Sequence, residues 1–232
     1  MKIIDHVVNL CYFITDHLVN NYKELFMKKE EKTKQTYQKI LHAAIMEFGT
    51  KNYENASLNS ICQNYQISKG LIYHNFRNKD DLYLCCVRIC FQELTQYLKD
   101  LDYQAATMKD SIQILLQARQ QFFKEYPYYA NIFFNTILQP PRHLQKEIKE
   151  IRRKFDCFYK ECYEKLLSKA TLREGISLDM AIEYFIIFQE MFNCYFQCKS
   201  YENEDFHSFI KDHELNIAPV LDIMLYGITD KK

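Results

Sequence analysis

Ser68-Lys69-Gly70-Leu71-Ile72-Tyr73-His74-Asn75-Phe76, followed by Lys79-Asp80-Asp81-Leu82, is the stretch on which the fold turns. Ser68 has the hydroxyl that caps a helix start. Ile67, Ile72 and Phe76 recur at the spacing of one buried face, which leaves Lys69, Gly70, Leu71, Tyr73 and His74 to look outward. An outward leucine left in water costs roughly 25 cal/mol per Å² of apolar surface, so Leu71 wants a partner. In a DNA major groove that partner is a thymine methyl, while Gly70 lets the backbone come close and the helix start with Ser68 attracts phosphate. Lys69 and His74 can reach base edges or phosphates, Tyr73 can donate to a phosphate, and Lys79 can clamp the adjacent strand.

Immediately upstream, Ser57 caps a second short helix whose inward face is Leu58, Ile61, Cys62 and Tyr65. Two short helices across a tight turn form a helix-turn-helix unit. A first helix over about 33–50, with Thr33 as its cap, carries Tyr37, Ile40, Leu41, Ala44 and Phe48 on one face, and Asn52 follows at a corner suited to a left-handed residue. From Thr33 to Lys79 six cations face two anions, whereas 19 cations and 23 anions follow Lys79. The zero net charge of the chain thus hides a basic segment coinciding with the helix-turn-helix.

The rest of the 232 residues reads as helix: four glycines, four prolines and apolar residues recurring at i, i+3, i+4 and i+7 predict an all-α fold. Asn78 caps a long connecting helix running to about Leu101, with Asp81 at its third position. Further helices are expected near 107–125, 128–137, 142–170, 178–199 and 206–228, the last broken around Asn216-Pro219. Domain boundaries follow as 1–26 for an extension, 27–78 for the helix-turn-helix unit and 79–232 for a larger helical unit.

Nine cysteines with no secretory signal predict free thiols in a reducing cytoplasm rather than disulfides. The pairs Cys86/Cys90 and Cys194/Cys198 have no histidine nearby to complete a zinc site, and no metal or other cofactor is expected. The first 26 residues are apolar but interrupted by Asp5, His6, Asp16 and His17, too short to span a bilayer. They read either as an extra amphipathic helix or as translated upstream sequence before a start at Met27, since Lys23-Glu24 could be encoded by a ribosome-binding sequence.

The ordered set Ile40-Leu41-x-x-Ala44-x-x-x-Phe48, Ser57-Leu58-x-x-Ile61 and Ile67-Ser68-Lys69-Gly70-Leu71-Ile72-Tyr73-x-x-Phe76-x-x-Lys79-x-x-Leu82 resembles the DNA-binding domain of the TetR/AcrR family of bacterial transcriptional regulators. The resemblance covers about fifty residues. Gln66 stands where the family commonly has the glycine of the turn, Asn52 replaces another glycine and Cys62 an alanine, so a left-handed Gln66 would carry about 1–2 kcal/mol of strain.

The resemblance implies a homodimer on a palindromic double-stranded operator, most often a repressor, with two reading helices one DNA turn apart, roughly 34–36 Å. It also implies a dimer interface from the last two long helices, here Phe192, Tyr195, Leu221, Met224 and Leu225, a placement that suits the almost wholly apolar run Tyr184–Phe188. An effector cavity among the preceding helices would use Phe122, Tyr126, Tyr129, Phe133, Phe155, Phe158, Tyr159, Phe185 and Phe188, walls fit for a small hydrophobic or aromatic molecule. A DNA-binding protein of this fold without an effector is the alternative. An enzyme is the rival from another class, but only a single Glu204-x-x-His207 occurs where a di-iron site needs a pair, and no nucleophile-elbow or phosphate-loop pattern is present.

Overall fold

The computed structural model describes residues 30–105, 107–200 and 206–228. These form α1 (30–48), α2 (Leu58–Tyr65), α3 (Lys69–Asn75), α4 (Lys79–Lys99), α5 (Met108–Glu125), α6 (Pro127–Leu138), α7 (Gln145–Leu167), α8 (Leu178–Ser200) and α9 (Phe206–Ile228), with a 3-10 turn Arg142–Leu144 leading into α7. The described residues contain no strand. Both expectations for residues 1–26 lie outside the described residues.

Local chemistry sets the helix starts. The side chains of Ser57, Ser68, Asn78 and Thr107 each accept a backbone N–H three residues on, and Ser177 does the same for Met180 ahead of α8. Asp81 returns the favour by accepting from the Arg77 amide at 3.1 Å, which closes the start of α4 from both directions. Pro127 opens α6 at its first position, where a missing N–H leaves no bond unmade. Gln66 ends α2 at φ 52° and ψ 48°, the left-handed conformation anticipated for it.

Three expected details differ. Thr33 lies inside α1 and does not cap it, because residues 30–32 of the charged arm are already helical. Asn52 is not left-handed; its side-chain oxygen accepts from the Asn55 amide at 3.0 Å and turns the corner by that bond instead. Nor is α9 broken, since Pro219 sits within it. Pro219 and Leu215 both lie on the exposed side of α9, so the carbonyl deprived of its N–H partner stands on the wet face of the helix.

α4 is the spine of the molecule. Leu82, Tyr83, Cys86, Val87, Cys90, Phe91, Leu94 and Leu98 are all buried along it, and α5, α6 and α7 pack around it. Each such side chain withdrawn from water contributes about 1.5–3 kcal/mol before the entropic cost of ordering it. α8 packs on α6, α7 and α9, and α9 also reaches α5. α1 and the short helices α2 and α3 therefore form a head on one end of a larger helical body.

Candidate functional site

The head presents one outward face on α3. Ile67, Ile72 and Phe76 are buried, and Phe76 stacks on Tyr37 of α1 at 5.3 Å between ring centres. This clamps α3 across α1 and turns Ser68, Lys69, Gly70, Leu71, Tyr73 and His74 to the exterior. Leu71 is 43% exposed and Tyr73 50%, the exposure of apolar groups awaiting a partner. A Cβ added at Gly70 would meet no atom of the protein within 4 Å, so nothing in the packing of this chain demands a glycine there.

Ser57 and Lys79 stand apart from that face. The Ser57 hydroxyl lies 2.8 Å from that of Ser60 and holds the Ser60 amide, while its own amide donates to the buried carboxylate of Glu47 at 3.1 Å. Lys79 lies over the Tyr53 ring, 4.2 Å from its centre, and partial burial lowers its pKa against the pull of Glu54 and Asp80.

The joint between head and body was not foreseen from sequence. Tyr53 donates its hydroxyl to Asp80, and His143 of the 3-10 turn lies 3.5 Å from that hydroxyl and 3.4 Å from the Asp80 carboxylate. The Tyr53 bond, and then His143 and Lys79, hold the Asp80 carboxyl below its ordinary value. Phe48 and Tyr53 both pack edge-on to Tyr83. Asn131 on α6 donates to the Gly49 carbonyl at 2.6 Å. Contacts 27 to 90 residues apart leave no local pattern in sequence.

The aromatic residues expected to line one cavity divide between two. Phe133, Phe155, Tyr159 and Phe188 line a body cavity of about 670 Å³ among α5–α9. Phe122, Tyr126 and Tyr129 line a separate cleft of about 510 Å³ between α1 and the body, with His42, Ile45 and Met46 opposite. Phe158 and Phe185 line neither, for both are buried and pack on neighbouring rings, Phe158 on Tyr159 and Phe185 on Tyr163.

Beside the body cavity, which Arg119, Asn193 and His213 help to line, lies a buried polar group that spacing gave no hint of. Arg119 and Glu214 pair at 2.6 Å, and His213 lies 3.2 Å from Glu214 and 3.1 Å from the Asn193 side-chain oxygen. Burial would raise the Glu214 carboxyl, but Arg119 and His213 overcome it and hold it at about 2. Burial depresses His213 below its ordinary value despite Glu214 beside it.

The residues expected at a subunit interface also divide. Phe192, Leu221 and Leu225 are buried within the protomer, and Phe192 and Leu221 face the body cavity. Tyr195 is exposed and Met224 half-buried. The outward stripe of α8 is instead Met180, Tyr184, Ile187, Met191 and Tyr195. A helix apolar on nearly all sides does not announce its rotational phase, and the structure turns Phe192 inward against Phe196 and His213.

Among the described residues, no group of three or more His, Cys, Asp or Glu side chains could hold a metal ion, and no helix is long and apolar enough to cross a membrane.

Residues 40–86 match the family model described as bacterial regulatory proteins, tetR family. Over 60 residues the chain is 33% identical to the Transposon Tn10 TetC protein of Escherichia coli, a match spanning 26% of this chain and 30% of that one. The fold as a whole is similar to that of the fatty acid degradation regulator FadR from Bacillus halodurans, with a TM-score of 0.58 at 16% identity over 82% of this chain and 98% of that one. A FadR from Bacillus subtilis, solved in complex with stearoyl-CoA, gives a TM-score of 0.58 at 15% identity, covering 83% and 99% of the two chains. The match to the tetR family model thus lies in residues 40–86, and the likeness of the whole chain to these solved regulators is one of fold.

Proposed function

We propose that the protein is a cytoplasmic, effector-responsive transcriptional regulator that binds a palindromic DNA operator as a homodimer and represses until a small molecule releases it. The observation that carries the DNA-binding part is the outward face of α3. Leu71 and Tyr73 stand exposed beside Lys69 and His74, and open space surrounds Gly70 at the second position of a Ser68-capped helix. Such a surface is costly in water and complementary to a major groove edged by phosphate. Ser57 and Lys79 contribute at its margins, Ser57 as the cap of α2 and Lys79 once its ammonium swings from Tyr53 to a phosphate.

A dimer is supported by the bare apolar stripe of α8, which extends over about 22 Å at 1.5 Å per residue, flanked on α9 by exposed Leu215 and Ile223. The effector reading is supported by the body cavity and by the stearoyl-CoA complex of the similarly folded Bacillus subtilis protein. Transmission would run along α6. Phe133 and Ile137 line the cavity, while Asn131 grips the Gly49 carbonyl at the end of α1, so a ligand that shifts α6 moves the head. A near-complete switch needs about 5.5 kcal/mol of differential affinity between the two states.

Gel-shift titration on DNA upstream of the protein's own gene, repeated from low to moderate salt, tests the assignment. Binding should weaken steeply as salt rises, and Lys69→Ala or Tyr73→Ala should weaken it at constant salt without changing mass or helicity. Binding unaffected by both substitutions would remove α3 as the reading helix.

A further inference from the structure

We propose that the cleft between α1 and the body is a second binding site, separate from the body cavity, and that it takes an organic cation built on flat aromatic rings. The proposal goes beyond the effector reading of the body cavity, which stands or falls without it.

The wall of the cleft combines rings with uncompensated carboxylates. Glu93, Tyr97 and Asp100 recur at i, i+4 and i+7 on one face of α4, and Phe122, Glu125 and Tyr126 follow at the end of α5. Between ring centres Tyr126 lies 5.0 Å from Phe122 and 5.9 Å from Tyr129, and Tyr97 lies 5.3 Å from Phe122. Tyr126 is 48% exposed, so much of its surface is free for a ligand.

No lysine or arginine lines the cleft, and among the described residues Glu93, Asp100 and Glu125 form no ion pair. The partners they do have are neutral: Gln96 donates to both oxygens of Asp100, at 2.8 and 3.0 Å, and Gln121 donates to Glu125 at 2.7 Å. These amides orient the carboxylates without cancelling their charge. Burial and then Glu93 push the Tyr129 phenol up to about 12, so this carboxylate acts on the rings.

Carboxylates beside ring faces attract a cation in two ways, by charge and by the ring quadrupole. Their spacing selects the kind of cation. Glu93 and Asp100 stand about 10 Å apart along α4, and among the described residues no group of three or more His, Cys, Asp or Glu side chains could hold a metal ion. Negative charge spread along a wall of rings suits a cation whose own charge is spread over rings. In the body cavity the balance is reversed, with Lys146, Lys149, Arg152, Arg153 and Lys160 in the wall outnumbering the carboxylates, so the two spaces select different ligands. The cleft volume of about 510 Å³ admits a molecule of two to three fused rings. His42, Ile45 and Met46 of α1 form its other side, so an occupant touches head and body at once.

The chain contains no tryptophan, so the fluorescence of N-methylquinolinium, a permanent cation, can be followed on the full-length protein. Titration at about pH 8 keeps imidazole uncharged. The double substitution Glu93→Gln with Glu125→Gln should weaken N-methylquinolinium binding about tenfold, and Tyr126→Ala should weaken it several-fold. Glu183→Gln, which removes an exposed carboxylate outside the cleft, should leave it unchanged. Binding of the neutral isostere 1-methylnaphthalene should be the same in the double variant as in the wild type. Failure of the wild-type protein to bind N-methylquinolinium overturns the proposal, as does binding that neither cleft variant alters. A parallel loss of 1-methylnaphthalene binding would make the carboxylates structural and overturn the charge assignment. Glu93, Glu125 and Tyr126 are all exposed, so each variant is expected to fold.

Discussion

Asn131 on α6 donates its side-chain amide to the main-chain carbonyl of Gly49, at 2.6 Å and across 82 positions of chain. The bond ties the end of α1 to the helix that walls the body cavity. Beside it the two backbones come into contact: a Cβ on Gly49 would lie 2.5 Å from the Tyr128 Cβ and 2.8 Å from its Cα. The head is thus docked by close approach as well as by a hydrogen bond, and displacement of α6 cannot be absorbed at this point.

Gly49→Ala should therefore destabilise the protein by about 1–3 kcal/mol, the usual cost of forcing atoms into a packed joint. The Tyr128 main chain cannot yield as a flexible side chain would. Urea melts of the two proteins give the difference directly, and an unchanged midpoint would mean that the head is not held here.

Gly70→Ala should do the reverse. The site is open and helical, so alanine costs the fold nothing and can add up to about 1 kcal/mol of helix propensity. If Gly70 serves close approach to DNA, the same methyl should weaken operator binding on the order of tenfold. Equal or higher Tm with weaker gel-shift binding is the expected pair of outcomes. Unimpaired binding would show that α3 does not approach its partner at this residue.

These two glycines mark how far the sequence could be read. The outward place of Gly70 is legible because it is local, one position along a capped helix whose inward residues recur at fixed spacing. The caps Ser57, Ser68 and Asn78 and the left-handed Gln66 were legible for the same reason: each bonds or bends within three or four residues of itself. Gly49 was not, because its constraint comes from Tyr128, far along the chain. The Arg119–Glu214 pair, 95 positions apart, escaped notice in the same way. Phe192 and Leu221 are buried where an interface was expected, because apolar character gives a helix's hydrophobicity but not the direction in which each side chain points. Intrinsic propensity predicts a break at Pro219, but packing on its inner side holds α9 together.

Acid should destabilise the protein in two windows, both from the buried group of Arg119, His213 and Glu214. His213 is held neutral by burial, its pKa below the ordinary 6.5, so the unfolded chain binds more protons there and stability falls as pH drops below about 6.5. Glu214 is depressed from 4.5 to about 2; its contribution is fully present above 4.5 and is lost as pH falls from there towards 2. Arg119, Tyr159 and Tyr163 also face this group, and Arg119 keeps its charge throughout. Thermal melts from pH 7.5 to pH 3.5 should show Tm falling through both windows, and His213→Asn should flatten the upper one. A variant with the same Tm loss between pH 6.5 and pH 5 would assign that loss elsewhere.

Met191 is 65% exposed at the middle of the α8 stripe, with Ile187 and Tyr195 one turn to either side. In a lone protomer Met191→Lys is a surface substitution, expected to change stability by no more than about 0.5 kcal/mol. In a two-fold dimer packed along α8 it would place two ammonium groups in an apolar interface, where unpaired charge is strongly opposed. Sedimentation of the variant should therefore give a monomer with unchanged helicity, and binding to a palindromic operator should fall to that of a single half-site. A dimer that persists in Met191→Lys at micromolar concentration would exclude this stripe as the seam between subunits and leave its apolar exposure to another partner.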